Sequence, residues 1–121
     1  MQAQANLELI DLSASIISIA RTMTKAPIMI IARIAYDAPG RDEQRKALFE
    51  DHRAHLRSGL ARIVQSGPLF DTDAKGAKRG ALVVFEADDM AEVERFNAAD
   101  PYVVNGVYDR IELLRWDKTI G

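Results

Sequence analysis

The sequence predicts an α+β domain with two helices laid on one face of an antiparallel sheet. Three observations carry this. Apolar, β-branched runs stand at "IMIIARIAY" (28–36) and "ALVVFEA" (81–87). Between them, residues 41–66 place Leu48, Phe49, Leu56, Leu60, Ile63 and Val64 at helical spacing. The pair Asp100-Pro101 then stops a second helical segment just before an alternating stretch, "VYDRIELLRW" (107–116).

Taken in order, the first strand is closed by the turn cluster Asp37-Ala38-Pro39-Gly40. The long helix over 41–66 follows, and Gly67-Pro68 ends it. "LFDT" (69–72) reads as a short strand and "DAKGAKRG" (73–80) as a polar loop before the strongest strand, 81–87. Asp88 or Asp89 caps the second helix, which carries Met90, Val93 and Phe96 on one face. The order is β-α-β-β-α-β, the ferredoxin-like arrangement. Met29, Ile31, Val83, Phe85, Leu114 and Trp116 offer more apolar surface than two helices can cover. An uncovered sheet face points to a homodimer that stacks two sheets.

A chain of 121 residues has the length of one domain with one modest core. Its 48% apolar and 28% charged residues are ordinary for a globular protein. A net charge of −2 with mixed signs offers no basic footprint for nucleic acid or an anionic membrane. Cysteine is absent, which excludes disulfides, thiolate nucleophiles and Cys-type zinc sites and fits a cytoplasmic address. Residues 1–25 form a separate leader, apolar at Leu7, Leu9, Ile10, Leu12, Ile16, Ile17 and Ile19 but interrupted by Glu8 and Asp11. It lacks the basic start of a signal peptide, and its uncharged run is too short to span a bilayer. It reads as an extra amphipathic helix or a frayed end, with Met23 as an alternative natural start. The domain proper is 26–121.

The chain has two histidines, His52 and His55, on the long helix at i and i+3. Three readings compete. A metal pair lacks the further ligands and the HExxH frame it would need, so no metal is expected. Both rings could be polar residues along a helix edge. Or one is an acid/base group oriented by a carboxylate, for which Asp100 is the natural candidate, since both helices cover one sheet face. Asp100 could equally be a turn acid serving local backbone N–H groups.

The pieces "DHRAHLRSGL", "SGPL", "ADPYVVNGVY" and "RW", in this order, resemble the YCII-related domain. The resemblance runs from about Ile28 to Lys118; Asp100-Pro101-Tyr102 with Gly106-Val107 is its most specific part, then His55-Leu56 and Gly67-Pro68. It implies a dimeric α/β barrel with a His–Asp dyad at a pocket. Carried over by position, the dyad is His55 and Asp100, with His52, Gly67, Pro68 and Tyr102 beside the substrate. One branch of the family is similar to enzymes that eliminate chloride from chlorinated hydroxyquinones. Related barrels include muconolactone isomerases and small monooxygenases. Two departures stand out: His52 replaces a family arginine three residues before the histidine, and Arg115 a proline before the terminal aromatic. A guanidinium grips an anion in a way imidazole does not, and the nearby Arg45 and Arg53 need not face the pocket.

No phosphate loop or GxGxxG is present, so no cofactor is expected. The chemistry indicated is proton transfer on a small aromatic or enolisable molecule, of a lyase, dehydrochlorinase or isomerase type. His55 would be the acid or base and Asp100 would fix its tautomer. The alternative is a non-catalytic, ligand-binding or sensing dimer. A cofactor-independent monooxygenase is a third reading.

Overall fold

The computed structural model describes residues 28–73 and 75–121. The 1–25 leader and the Met23 start therefore lie outside the described residues. The described chain runs β1 (Met29–Asp37), α1 (Asp42–Leu56), β2 (Arg62–Phe70), β3 (Lys78–Ala87), α2 (Met90–Ala99), α3 (Pro101–Val104) and β4 (Tyr108–Arg115). The four strands form one sheet in the order β2-β3-β1-β4, and every neighbouring pair is antiparallel. This is the expected ferredoxin-like α+β fold, with one additional helical turn, α3, before the last strand.

The long helix is shorter than its spacing predicts. It ends at Leu56, not near residue 66, and the segment 62–70 is strand β2. Local chemistry stops it: the Ser58 hydroxyl and backbone N–H both donate to the His55 carbonyl, and Gly59 takes φ 80°. That left-handed conformation is cheap for glycine and ends helices. A β-bulge hid the strand from its own periodicity. The register slips between Ile63 and Gln65, so Val64 breaks the alternation that identifies a strand. Pro68 is tolerated in mid-strand because β2 is an edge strand. The expected 73–80 loop is likewise shorter, since β3 already begins at Lys78. Gly80 is required there, because a Cβ would collide with the Ala35 carbonyl of β1.

Alternation along β1 sends Ile31, Arg33 and Ala35 to the helix-covered face, and all three are buried. Two apolar clusters form on that face. One gathers Ile31, Val83, Phe85, Val93 and Phe96; the other gathers Ala35, Tyr102, Val107 and Tyr108. Arg33 stands between Ile31 and Ala35 on β1, a charge carried into the core. A buried charge demands a partner, and finding that partner locates the site.

Candidate functional site

The partner is Asp100. Arg33 Nη1 donates to Asp100 Oδ2 at 2.9 Å, and both side chains are 0% exposed. Asn97 Oδ1 accepts a longer bond, 3.3 Å, from the same Nη1. The sequence places Asp100 there through its neighbour. Pro101 forces residue 100 into an extended backbone, φ −64° and ψ 124°, which ends α2. The same proline then serves as the first residue of α3, and Asp100 caps it by accepting from Tyr102 N–H at 2.9 Å. The Asp-Pro pair is thus both a stop and a restart. The turn-acid reading of Asp100 and the pairing reading hold together.

The imidazole at Asp100 is His52. The expected contact with His55 is not made. His52 Nδ1 lies 2.7 Å from Asp100 Oδ1, whereas His55 Nε2 lies 2.8 Å from the Phe96 carbonyl. The reason is helical geometry. Residues at i and i+3 differ by about 60° in direction and about 4.5 Å in height along the axis, enough to aim one ring at Asp100 and the other at α2. His55 stacks on the Phe96 ring at 4.1 Å and donates to one of the last carbonyls of α2, which helical bonding leaves open.

His52 is held on three sides. Its ring stacks on Tyr102 at 3.9 Å and 6°, and meets Tyr108 edge-on at 6.5 Å. The Tyr102 hydroxyl donates to the Arg45 carbonyl, which anchors that platform to α1. An ionised Asp100 only accepts, so Nδ1 carries a proton and Nε2 is the ring nitrogen turned away from the carboxylate. Burial alone would raise the Asp100 pKa. The His52 hydrogen bond and charge, the Arg33 charge and the Tyr102 N–H together outweigh it and hold Asp100 below the ordinary carboxylate value. Burial also raises the Tyr102 and Tyr108 hydroxyls, so both stay neutral.

In front of His52 opens a cavity of about 460 Å³ between α1 and the β2–β3 side of the sheet. His52, Gly67, Pro68 and Tyr102 line it, together with Phe49, Leu56, Val83 and Tyr108. His55 and Asp100 do not line it; Asp100 lies behind His52. Arg45 and Arg53 do face the cavity, as does Lys78. Among the described residues, no three His, Asp or Glu side chains cluster as metal ligands, and no helix is long and apolar enough to cross a membrane.

Sequence reasoning missed Arg33. Its signal was present: it is the one charge inside the apolar run 28–36, on the face of Ile31 and Ala35.

Fold and site together define a ferredoxin-like α+β domain with an imidazole–carboxylate pair at the edge of an open cavity. Within that class the chain belongs to the YCII-related domain family, whose model matches residues 29–117. Among solved structures it is similar to a 5-chloro-2-hydroxyhydroquinone dehydrochlorinase from Burkholderia phenoliruptrix, in complex with 2,5-dihydroxybenzoquinone. That likeness has 28% identity and a TM-score of 0.63, and covers 74% of this chain and 94% of that one. A NIPSNAP-like domain protein from Burkholderia xenovorans is similar at 17% identity and TM-score 0.47, over 79% of this chain and 90% of that one. A dabb family protein from Mesorhizobium loti follows at 14% identity and TM-score 0.46, over 78% and 100%. No curated protein matches the chain.

Proposed function

We propose that the chain is a cofactor-independent lyase that moves protons on a small hydroxylated ring and expels a halide from it. One observation carries the reading: His52 Nδ1 is committed to Asp100 at 2.7 Å, which leaves Nε2 bare toward a ring-sized cavity. An apolar cavity of about 150 Å³ already holds benzene, so this one accommodates a substituted ring and some water. His52 is the base in place of the expected His55, because the His55 Nε2 is already taken by a backbone carbonyl.

Asp100 keeps the proton on Nδ1 and favours the imidazolium that forms, without itself becoming protonated. Arg33 secures that behaviour by stabilising the carboxylate. Nε2 takes a hydroxyl proton from the ring and returns it to the ring carbon that bears the halide. A second hydroxyl proton is lost, the halide departs with the bonding pair, and a quinone remains. The sum is loss of one hydrogen halide, with no external oxidant. Similarity to the dehydrochlorinase supports this reaction class, and the dihydroxybenzoquinone bound to that enzyme supports a six-membered, oxygenated ring.

The test is anaerobic incubation with 5-chloro-2-hydroxyhydroquinone, reading chloride by ion chromatography. The wild-type protein should release chloride faster than buffer. His52→Gln, which can still donate to Asp100 but offers no basic nitrogen, should lose about 10²–10⁴ of that rate. Ligand recovered unchanged from the wild-type protein would sink the enzymatic reading and favour a binding module.

We further infer a homodimer. The sheet face opposite the helices carries Ile30, Ile34, Leu82, Leu114 and Trp116, of which Leu114 is 49% and Trp116 39% exposed. No described element covers it. Sedimentation at micromolar concentration should give twice the chain mass of 13.4 kDa; a monomer there would exclude the stacked-sheet dimer.

A further inference from the structure

The His52 cavity is lined by three cations and by no carboxylate. Arg45, Arg53 and Lys78 contribute to its wall, and none of the lining residues is Asp or Glu. Two of these cations are already balanced from outside the cavity. Lys78 Nζ lies 2.9 Å from Asp37 Oδ2. Arg45 lies 3.3 Å from Asp37 Oδ1 and 3.0 Å from Asp42 Oδ1. Behind His52, the Arg33 and Asp100 charges cancel in the same way. Arg53 differs. Among the described residues its side chain makes no ion pair and no hydrogen bond, and its guanidinium lies 5.4 Å from the Phe49 ring centroid. The cavity therefore carries one uncompensated positive charge.

We propose that Arg53 is the anion-binding residue of this cavity and that the ligand is an aromatic or quinonoid ring bearing an ionised oxygen. The inference rests on the reading of the cavity as an active site for a hydroxylated ring, and it deepens that reading. Arg53 follows His52 directly on α1 and lies one helical turn after Phe49. The Phe49 ring and the guanidinium thus form one surface, with a π face for the ligand ring and planar donors for its oxygen. Phe49, Leu56 and Val83 on the cavity wall lower the local dielectric, which strengthens such a contact.

The charge also simplifies the chemistry. A ring that arrives ionised needs only one proton shuttle. His52 Nε2 takes the proton of a remaining hydroxyl and delivers it to the halide-bearing carbon. The electron pair of the ionised oxygen then closes a carbonyl and displaces the halide through the ring. One monoanion becomes one neutral hydroxyquinone and one halide ion, with atoms and charge balanced. Arg53 itself transfers nothing; it selects and orients the anion.

The experiment is a calorimetric titration with two probes, 2,5-dihydroxybenzoquinone, which is ionised at neutral pH, and hydroquinone, which is neutral. Arg53→Met should weaken binding of the ionised probe about tenfold or more, as expected for loss of a charge-assisted contact, and leave hydroquinone within about twofold. Arg53→Lys, which keeps the charge but loses the planar fork, should fall between. Arg57→Met, one turn further along and exposed outside the cavity, should bind both probes as the wild type does. Turnover is not read in this titration. A protein that grips the anion through Arg53 yet releases no chloride loses the proposed reaction and keeps this inference; one that releases chloride with no Arg53 dependence does the reverse. The inference is overturned if Arg53→Met binds the ionised probe with wild-type affinity, if Arg57→Met weakens it equally, or if the wild-type protein binds neither probe.

Discussion

His52 and His55 sit one turn apart on the same helix, and their surroundings divide two kinds of work. At His55 both partners belong to α2: the Phe96 ring stacks on the imidazole and the Phe96 carbonyl accepts a hydrogen bond from its Nε2. At His52 the partners come from α3, β4 and the α2–α3 junction, and only Nδ1 is used. The first ring ties two helices together and has its reactive nitrogen occupied. The second is oriented as firmly but keeps a basic nitrogen toward a cavity. On the proposed reading, what separates a structural from a chemical histidine is which nitrogen is left over.

The largest expected effect breaks the His52 region outright. Asp100→Asn leaves the Arg33 guanidinium buried without a counter-charge, and removing one partner of a buried pair costs about 3–5 kcal/mol. The amide can also turn its NH₂ toward His52 and select the wrong tautomer, so turnover should fall with stability. Chemical denaturation reads the first effect. The double variant Arg33→Met/Asp100→Asn should recover part of the loss, because no charge is then stranded. Purely additive losses would mean that the two side chains do not depend on each other.

His55→Ala sharpens the same comparison from the other side. It removes one hydrogen bond and a ring contact, so a destabilisation of about 1–2 kcal/mol is expected, with turnover within a few-fold of wild type. Loss of activity comparable to His52→Gln, at unchanged stability, would return the catalytic role to His55.

The mildest test changes only the pH. Asp100 has a folded pKa below its ordinary value. Its contribution is therefore complete above the unfolded value of ~3.9 and is lost as pH falls through the folded pKa. Thermal unfolding from pH 7 down to acid should show this loss beginning near pH ~4, and Asp100→Asn should flatten the slope. A variant with an unchanged slope would place the acid sensitivity in other carboxylates.

The two ends of α1 also differ in how plainly they could be read. Its start is written locally, in the turn Asp37-Ala38-Pro39-Gly40 and the acids Asp42 and Glu43 that suit a helix N-terminus. Its end was misread, because the spacing of Leu56, Leu60, Ile63 and Val64 satisfies a helix while a bulge at Val64 conceals a strand. Leu60 and Val64 prove to be exposed, 63% and 46%. Apolar periodicity marks burial only when the element exists, and Gly59 had already ended it.

By itself the sequence determined the α+β order, the β1 and β3 runs, the stop at Asp100-Pro101 and a carboxylate fit to meet an imidazole. Those features depend on near neighbours: alternation, capping, and the backbone restriction that proline imposes. Only the tertiary structure decided which imidazole the carboxylate meets, that Arg33 stands behind it, and that Arg53 faces the cavity without a carboxylate. Each of those pairings joins residues from different elements. Arg33 and Asp100 are 67 positions apart, and His52 and Asp100 are 48. At such separations a turn of about 60° in a helix or the choice of face in a strand exchanges one partner for another. Spacing along the chain carries no record of that choice, because it is made when β1, α1 and α3 come together around Asp100.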